Sequence, residues 1–227
     1  MSSGTETIHH TGQARFLMPE GARQIILVRH GSSVGPTVNT LQLGELTLSD
    51  PELSPDGHLQ AQALASQLSR EAIAHIFVTP LRRTHQTAEP LVAATGIQPV
   101  VIDDLREIHL GEWEHSYYEY ASSGHPLISQ AYVEERWDVI PQAESAASFA
   151  ERVSRGIAEV VARTGPGTTS VALSHAATIS EICRQAARSR PFAFVGVENT
   201  SITRLIVTKD GGWQLRSFND VSHLGYS

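Results

Sequence analysis

From residue 24 onward, short runs of apolar residues alternate with longer segments in which apolar residues recur at helical spacing. The short runs predict strands at residues 24–28, 75–78, 100–102 and 170–174. The longer segments predict helices at about 56–68 and 81–95, at 149–165, and after the last of these strands to about 188. Strands and helices that alternate in this way build a mostly parallel sheet with helices on both faces. We therefore expect an α/β fold, specifically a three-layer α/β/α sandwich.

Other segments of the chain depart from this alternation. Residues 202–207 and 213–218 flank the turn sequence KDGG and predict a hairpin, which would give the sheet an antiparallel edge strand. Residues 112–145 carry several aromatic side chains with Gly and Pro breaks, which predicts a small helical cap insertion whose aromatic rings pack on one another. The segment after the first strand is expected to be a loop. Residues 1–23 show no periodicity and are expected to be a flexible N-terminal tail, so that residues 24–227 form one domain.

Charge and composition argue against several classes of function. The net charge is -7 and no basic run is present, so the electrostatic footprint of a nucleic-acid-binding protein is missing. No apolar run approaches the roughly 20 residues that span a bilayer, and the first residues lack the pattern of a signal peptide. Cys183, at helical spacing beside Ile179 and Ile182, is expected to be a packed and inert thiol. We therefore expect a cytoplasmic protein with neither a membrane nor a nucleic acid as partner, and a homodimer is compatible with the sequence.

Charged and nucleophilic side chains follow the ends of the predicted parallel strands. The carboxyl ends of such strands meet at one rim of a sheet, and α/β proteins bind their ligands there. Side chains that are far apart in the sequence are therefore expected to converge. The residues at these strand ends are Arg29 and His30, Arg82 and Arg83, Glu107, and His175.

This set of side chains suits phosphoryl transfer. Guanidinium groups donate bidentate hydrogen bonds to a phosphate dianion. A neutral imidazole attacks phosphorus directly, because one of its ring nitrogens is nucleophilic near pH 7. A carboxylic acid protonates the leaving alkoxide. Gly31, directly after His30, is expected to let the backbone come close to the phosphate.

Four sequence motifs occur in the order and spacing of a known family. They are LVRHG, TPLRRTHQTA, LREIHLGEWE and ALSHA. Together they resemble the signatures of the histidine phosphatase superfamily, also called the phosphoglycerate mutase-like family, over about residues 24–207. The GEWE sequence is similar to the small-phosphatase branch. The resemblance implies a phosphomonoester hydrolase that needs no metal or other cofactor and acts through a phosphohistidine on a small phosphorylated metabolite.

The resemblance also implies a role for individual residues. His30 is similar to the nucleophile that becomes phosphohistidine, and Glu107 is similar to the proton donor, which later activates the water. His175 is similar to the second histidine, which stabilises the transferring phosphoryl group. Arg29 and Arg83 resemble the two phosphate-binding arginines, and the family spacing selects Arg83 over its neighbour.

A few positions depart from the family pattern. Ser33 can still offer a hydroxyl group to phosphate, but Pro36 stands where an asparagine is usual, and Asn39 is the candidate to replace it. Ala176 stands where glycine is usual and is expected to contribute only its backbone N–H to phosphate. Since these changes surround the pocket mouth, we expect an unusual choice of substrate.

Three alternative functions stay open. A phosphoglycerate mutase would return the phosphoryl group to a substrate instead of giving it to water, but the loop after His30 lacks the mutase pattern. A catalytically weak phospho-ligand binding protein would have no use for a nucleophile together with an acid. A metallohydrolase would need clustered ligands, whereas the eleven histidines are scattered and no HExxH motif is present.

Overall fold

The structure, a computed structural model, describes residues 16–35 and 39–225. The first 15 residues of the predicted tail, and Pro36, lie outside the described residues. The first strand begins at Arg23, one residue earlier than expected. The strands are β1 (Arg23–Arg29), β2 (Thr40–Leu43), β3 (Leu46–Ser49), β4 (Ile73–Val78), β5 (Pro99–Val101), β6 (Thr169–Ser174), β7 (Ile202–Val207) and β8 (Trp213–Asp220).

The helices begin and end at residues whose chemistry favours these positions. The Ser54 hydroxyl accepts a hydrogen bond from Gly57 N (3.1 Å) at the start of the first helix, and Gly96 ends the second with φ of 72°. No helix in the described part of the chain is long and apolar enough to cross a lipid bilayer. The helices are α1 (Pro55–Leu68), α2 (Arg82–Thr95), α3 (Tyr117–Ser122), α4 (Pro126–Glu134), α5 (Ala146–Arg163) and α6 (Ala176–Ala187).

The main sheet has six strands in the order β5-β4-β6-β1-β7-β8. Strands β5, β4, β6 and β1 are parallel, β7 runs antiparallel to β1, and β8 pairs antiparallel with β7 at the edge. The predicted hairpin is therefore confirmed. The order places β1 and β6 side by side, although about 140 residues separate them in the chain.

Side chains alternate along the central strands between two buried layers. In β1, Ile25 and Leu27 pack with α5 and α6, whereas Ile26 and Val28 pack with α1 and α2. This period of two is the geometry of a strand that is buried on both faces. Helices thus cover both faces of the sheet, and the expected three-layer α/β/α sandwich is confirmed.

One segment differs from the expectation. Residues 40–49 lie in the predicted loop, but they form a separate two-stranded antiparallel sheet of β2 and β3. Gly44 lies in the turn with φ of 61°, a conformation that glycine adopts without strain. Leucines lie at alternate positions on both strands, as expected for a strand pattern. Because each strand has four residues, this pattern is weak in the sequence.

The predicted cap insertion contains α3 and α4 and lies between β5 and α5. Its incoming and outgoing chains are joined: Glu112 N donates to Pro141 O (3.0 Å), and Glu144 N donates to His109 O (2.8 Å). At Gly111 a Cβ atom would lie 2.2 Å from Pro141 O, so only glycine fits there. We call residues 109–112 and 141–144 the neck of the cap.

Candidate active site

The pairing of β1 with β6 brings the two predicted histidines together. Arg29 lies opposite Ser174 in the register, and His30 N donates to Ser174 O (3.0 Å). The residues that follow each strand are therefore neighbours, and the ring centroids of His30 and His175 are 5.2 Å apart. Two residues that are 145 positions apart in the sequence thus share one site.

The His30 ring is held in one tautomer. Its Nδ1 lies 2.7 Å from Gly31 O, and a carbonyl oxygen can only accept a hydrogen bond. Nδ1 therefore carries the proton, and Nε2 keeps its lone pair. Burial, followed by the charges of Arg83 and Arg29, lowers the pKa of His30 well below 6.5, although the Gly31 hydrogen bond opposes this shift. The ring is consequently neutral at pH 7.

His175 is completely buried beside this ring. Its Nε2 lies 2.9 Å from Thr79 Oγ1, and its Nδ1 has no hydrogen-bond partner among the described residues. Burial, and then the charges of Arg83, His30 and Arg29, lower its pKa well below 6.5. Thr79, at the end of β4, was not identified from the sequence, because a threonine at a strand end has no distinguishing pattern.

The two arginines approach the histidines from different elements. Arg29 Nη1 donates to Val197 O (2.6 Å), and Arg83 Nη1 donates to Ser49 O (3.0 Å). Each guanidinium group therefore uses one N–H to bond a backbone carbonyl and keeps other N–H groups for a ligand. Arg83 is 8% exposed and lines the central cavity. Arg82 instead points outward, with its Nε 3.9 Å from Asp50 Oδ2.

The carboxyl group of Glu107 lies at the N-terminal end of α6. Its Oε2 accepts from Ala177 N (3.2 Å), and its Oε1 accepts from Thr178 N (3.2 Å) and from Ile108 N (3.1 Å). The N-terminal end of a helix attracts a carboxylate, because its first N–H groups are unpaired and the helix dipole is positive there. The carboxyl group is thereby fixed in position at the cavity, which Glu107 lines together with Arg83.

A buried ion pair lies behind Glu107. Arg152 on α5 donates to Glu144 Oε1 (2.8 Å) and Oε2 (2.6 Å), and also to Asp104 O (2.8 Å) and Arg106 O (3.0 Å). It therefore connects α5, the neck of the cap and the segment that ends in Glu107. This pair was not predicted from the sequence as part of the site. The available signal was an arginine on the apolar face of an amphipathic helix, beside Phe149.

The loop after His30 packs tightly on α1. A Cβ atom at Gly31 would lie 2.7 Å from Gly57 O, and one at Gly57 would lie 1.9 Å from Ser32 O. Gly31 N donates to Thr87 Oγ1 (2.9 Å). The expectation that Gly31 serves a close approach to phosphate stays a prediction. Its small size allows the loop to contact α1, and its N–H is already used.

Three further predicted positions lie at different places. Ser33 and Ala176 line the cavity, and Ser33 also pairs with Leu53 in an isolated bridge. Asn39 is exposed and is not among the described residues that line the cavity; its carbonyl accepts from Asp50 N (3.0 Å). Asn199, which sequence reasoning did not single out, donates from Nδ2 to His30 O (2.8 Å).

The cavity has a volume of about 330 Å³. Arg29, His30, Arg83 and Glu107 lie on its wall, and the cap contributes aromatic rings to another part of the wall. Among the described residues, no group of three or more His, Cys, Asp or Glu is placed to hold a metal ion. The cavity thus combines a charged part at the strand ends with an aromatic part at the cap.

The cap aromatics divide into two groups. Trp113 is buried and packs against Tyr120, with ring centroids 4.6 Å apart, as expected for a packed face. Tyr117 and Tyr118 also pack on each other, with ring centroids 5.5 Å apart, and in addition both line the cavity. Burial, followed by the neighbouring Tyr132, raises the pKa of Tyr117 to about 12. The cap therefore shapes the cavity as well as its own core.

Cys183 lies away from these groups in the core of α6. It is buried, and burial raises the pKa of its thiol to about 12. A thiol with such a pKa is protonated at pH 7 and is a poor nucleophile. The predicted packed position of Cys183 is confirmed, and this environment favours the expected inert thiol.

The chain is similar to known proteins over most of its length. The family described as histidine phosphatase superfamily (branch 1) matches residues 25–221. Phosphoglycerate mutase-like protein 4 of Arabidopsis thaliana is 32% identical over 207 residues, which cover 88% of this chain and 86% of the relative. Phosphoserine phosphatase 1 of Hydrogenobacter thermophilus is 36% identical over 153 residues, which cover 67% of this chain and 70% of the relative.

A solved structure of a mycobacterial glucosyl-3-phosphoglycerate phosphatase is similar as a whole. It has a TM-score of 0.70 and 28% sequence identity, and the match covers 87% of this chain and 99% of that protein. The family match covers most of the chain and includes both histidine-bearing strand ends. The chain belongs to branch 1 of the histidine phosphatase superfamily.

Proposed function

We propose that the protein is a metal-independent phosphomonoester hydrolase that passes the phosphoryl group of a small metabolite to His30 and then to water. The observation that carries this proposal is the tautomer of His30. Its Nδ1 is committed to Gly31 O at 2.7 Å, and its ring is neutral between two guanidinium groups. Such a ring offers Nε2 to phosphorus without first losing a proton.

The charge of the phosphoryl group is neutralised by the arginines. Arg29 and Arg83 each keep N–H groups beyond the one bonded to a backbone carbonyl, and these are available to phosphate oxygens. His175 adds a further donor: when the Thr79 hydroxyl donates to Nε2, the proton of the ring lies on the unpartnered Nδ1. Ser33 and the backbone N–H of Ala176 are proposed as further phosphate contacts.

Both chemical steps use Glu107. In the first step, His30 Nε2 forms a bond to phosphorus, the bond to the leaving oxygen breaks, and that oxygen takes the proton of Glu107. In the second step, the Glu107 carboxylate takes a proton from water, and the oxygen of this water forms a bond to phosphorus. The bond between Nε2 and phosphorus then breaks and inorganic phosphate leaves.

The size of the cavity and the relatives support a small substrate. A volume of about 330 Å³ lies at the lower end of ligand pockets, and the cap closes one side of it. One relative is named a phosphoserine phosphatase, and one similar structure is a glucosyl-3-phosphoglycerate phosphatase. We place the protein in the cytoplasm, and its partner is the small phosphorylated substrate; a homodimer is compatible with this function.

A mutase is the second candidate, because one relative is named phosphoglycerate mutase-like. It would share the first step and differ in the acceptor of the phosphoryl group. Phosphate release from a monophosphate ester in the absence of a bisphosphorylated primer supports the hydrolase. Primer-dependent isomerisation without phosphate release would support the mutase, and phosphate binding without either reaction would support a binding protein.

Trapping the intermediate tests the proposal directly. The protein is mixed with p-nitrophenyl phosphate in the presence of a chelator, quenched in alkali and digested, and the phosphorylated peptide is identified by mass spectrometry. We expect phosphate on His30, and a loss of turnover of about a thousandfold or more in His30→Ala. His58→Ala is the control, because His58 is an exposed histidine on α1 outside the cavity wall. A loss under tenfold in His30→Ala would exclude His30 as the nucleophile.

A further inference from the structure

The cavity wall changes character away from His30. Tyr117, Tyr118, Tyr132 and Trp137 of the cap segment line it together. The ring centroids of Tyr117 and Trp137 are 5.8 Å apart, and those of Tyr132 and Trp137 are 6.0 Å apart, so the rings form a continuous group. We call these four residues the aromatic wall.

The charges on the cavity wall are unevenly distributed. Among the described residues, no arginine or lysine other than Arg29 and Arg83 lines the cavity. Both of these arginines are assigned to the phosphoryl group. The wall also carries the carboxylates of Glu107 and Glu114 and the imidazoles of His30 and His115. Both oxygens of Glu114 accept backbone N–H groups, from Ser49 (3.0 Å) and Leu110 (2.9 Å), which hold this carboxylate in place.

These two observations restrict the leaving group. A carboxylate on the substrate would be desolvated beside Glu114 and the aromatic wall, with no arginine or lysine left to pair with it. An apolar ring would instead lose its water against aromatic faces and edges, which is favourable. We infer that the protein selects phosphomonoesters whose leaving group is uncharged and carries an apolar, ring-sized body, held by the aromatic wall. This inference rests on the proposed function, because it assigns both arginines to the phosphoryl group.

Binding of phosphonates tests the inference without any turnover. Benzylphosphonate and ethylphosphonate carry the same head group and differ in the ring. We expect the full chain to bind benzylphosphonate about tenfold more tightly in isothermal titration calorimetry, because the ring is buried on the aromatic wall. Equal affinities for the two phosphonates would overturn the inference.

A matched pair of substitutions on α4 locates the effect. Tyr132 is 50% exposed and lines the cavity, whereas the adjacent Val133 is 83% exposed and does not. Tyr132→Ala is expected to weaken benzylphosphonate binding by roughly three- to tenfold and ethylphosphonate binding by less. Val133→Ala is expected to change neither affinity. Equal effects of the two substitutions would contradict the assigned wall.

A second pair of ligands tests the exclusion of carboxylates. Glycerol 3-phosphate has a hydroxymethyl group at the position where 3-phosphoglycerate has a carboxylate. We expect kcat/KM to be at least about tenfold lower for the glycerate. A preference for the glycerate would overturn the inference. Hydrolysis of p-nitrophenyl phosphate by the same sample separates the two claims. Turnover of this ester together with equal affinities for the two phosphonates would contradict the aromatic wall but not the proposed function. Selective binding of benzylphosphonate without turnover of the ester would contradict the proposed function but not the aromatic wall.

Discussion

Replacing Glu144 with glutamine tests whether the ion pair behind Glu107 supports the structure. The side chains of Arg152 and Glu144 are 4% and 10% exposed, and two hydrogen bonds of 2.8 and 2.6 Å join them. Glutamine keeps one acceptor oxygen and removes the charge, so Arg152 is left buried without its counter-ion. Breaking a buried pair from one side costs roughly 3–5 kcal/mol. Because one hydrogen bond is retained, we expect a cost of about 3 kcal/mol, or roughly 6–12 °C in Tm.

The same helix offers a control. Arg163 and Glu159 of α5 also form an ion pair, at 2.7 Å, but their side chains are 51% and 46% exposed. Glu159→Gln is expected to cost at most about 0.5 kcal/mol, because an exposed pair is already solvated. Urea denaturation at pH 7 measures both free energies of unfolding. Equal costs for the two substitutions, both under about 1 kcal/mol, would refute the argument from burial.

The pH dependence of this cost has a defined sign. Burial opposes the ionisation of Glu144, but the hydrogen bonds and charge of Arg152 outweigh burial and lower its pKa from 4.5. A carboxyl group whose pKa is lowered on folding stabilises the protein above its unfolded pKa and loses this contribution as the pH falls through the folded pKa. The difference between the native protein and Glu144→Gln is therefore expected to shrink below pH 4.5. A difference that grows towards acid would contradict the sign.

Three further predictions concern catalysis. Glu107→Gln is expected to slow the hydrolysis of alkyl phosphates by about a hundredfold or more but that of p-nitrophenyl phosphate much less, since nitrophenolate leaves without a proton; steady-state kinetics that show equal losses would remove Glu107 from the acid role. Burial, and then the charges of Arg83 and Arg29, lower the pKa of His30 well below 6.5. We therefore expect the pH profile of kcat/KM to show no ionisation of a histidine with a midpoint near pH 6.5. A midpoint at this pH would argue against a neutral, buried ring. Removal of divalent cations with a chelator is expected to leave the rate of phosphate release unchanged, and inhibition that added metal reverses would support a metallohydrolase instead.

Much of the fold could be predicted because its signals are local. The apolar run of β1 and the spacing on α5 depend only on neighbouring residues, and both elements lie within a few residues of the predicted positions. Strands β2 and β3 were missed, since four residues a side give too short an alternation to stand out from a loop. Short hairpins of this kind depend on what they pack against, which a local pattern does not contain.

The positions of site residues could be predicted where these residues follow the ends of strands. The carboxyl-end rule brings His30 and His175 together, because β1 and β6 pair in parallel register. Backbone direction decides the remaining features. The tautomer of His30 follows from where Gly31 O points, and the contact of Thr79 with His175 follows from the path after β4. Neither the direction of this carbonyl nor the path of the chain after β4 can be predicted from residue types or their spacing.

The neck of the cap has a consequence for how such proteins diversify. The chain leaves for the cap and returns at one point, where backbone hydrogen bonds from Glu112 and Glu144 fasten the two passing segments to each other. We expect that residues beyond that point can be exchanged, lengthened or shortened while the sheet and His30, the proposed nucleophile, stay where they are. On the proposed function, substrate selectivity and bond-breaking chemistry thus lie in separable parts of the fold. Grafting the cap of a relative onto this neck is expected to transfer the relative's preference among esters, with the proposed intermediate on His30 unchanged.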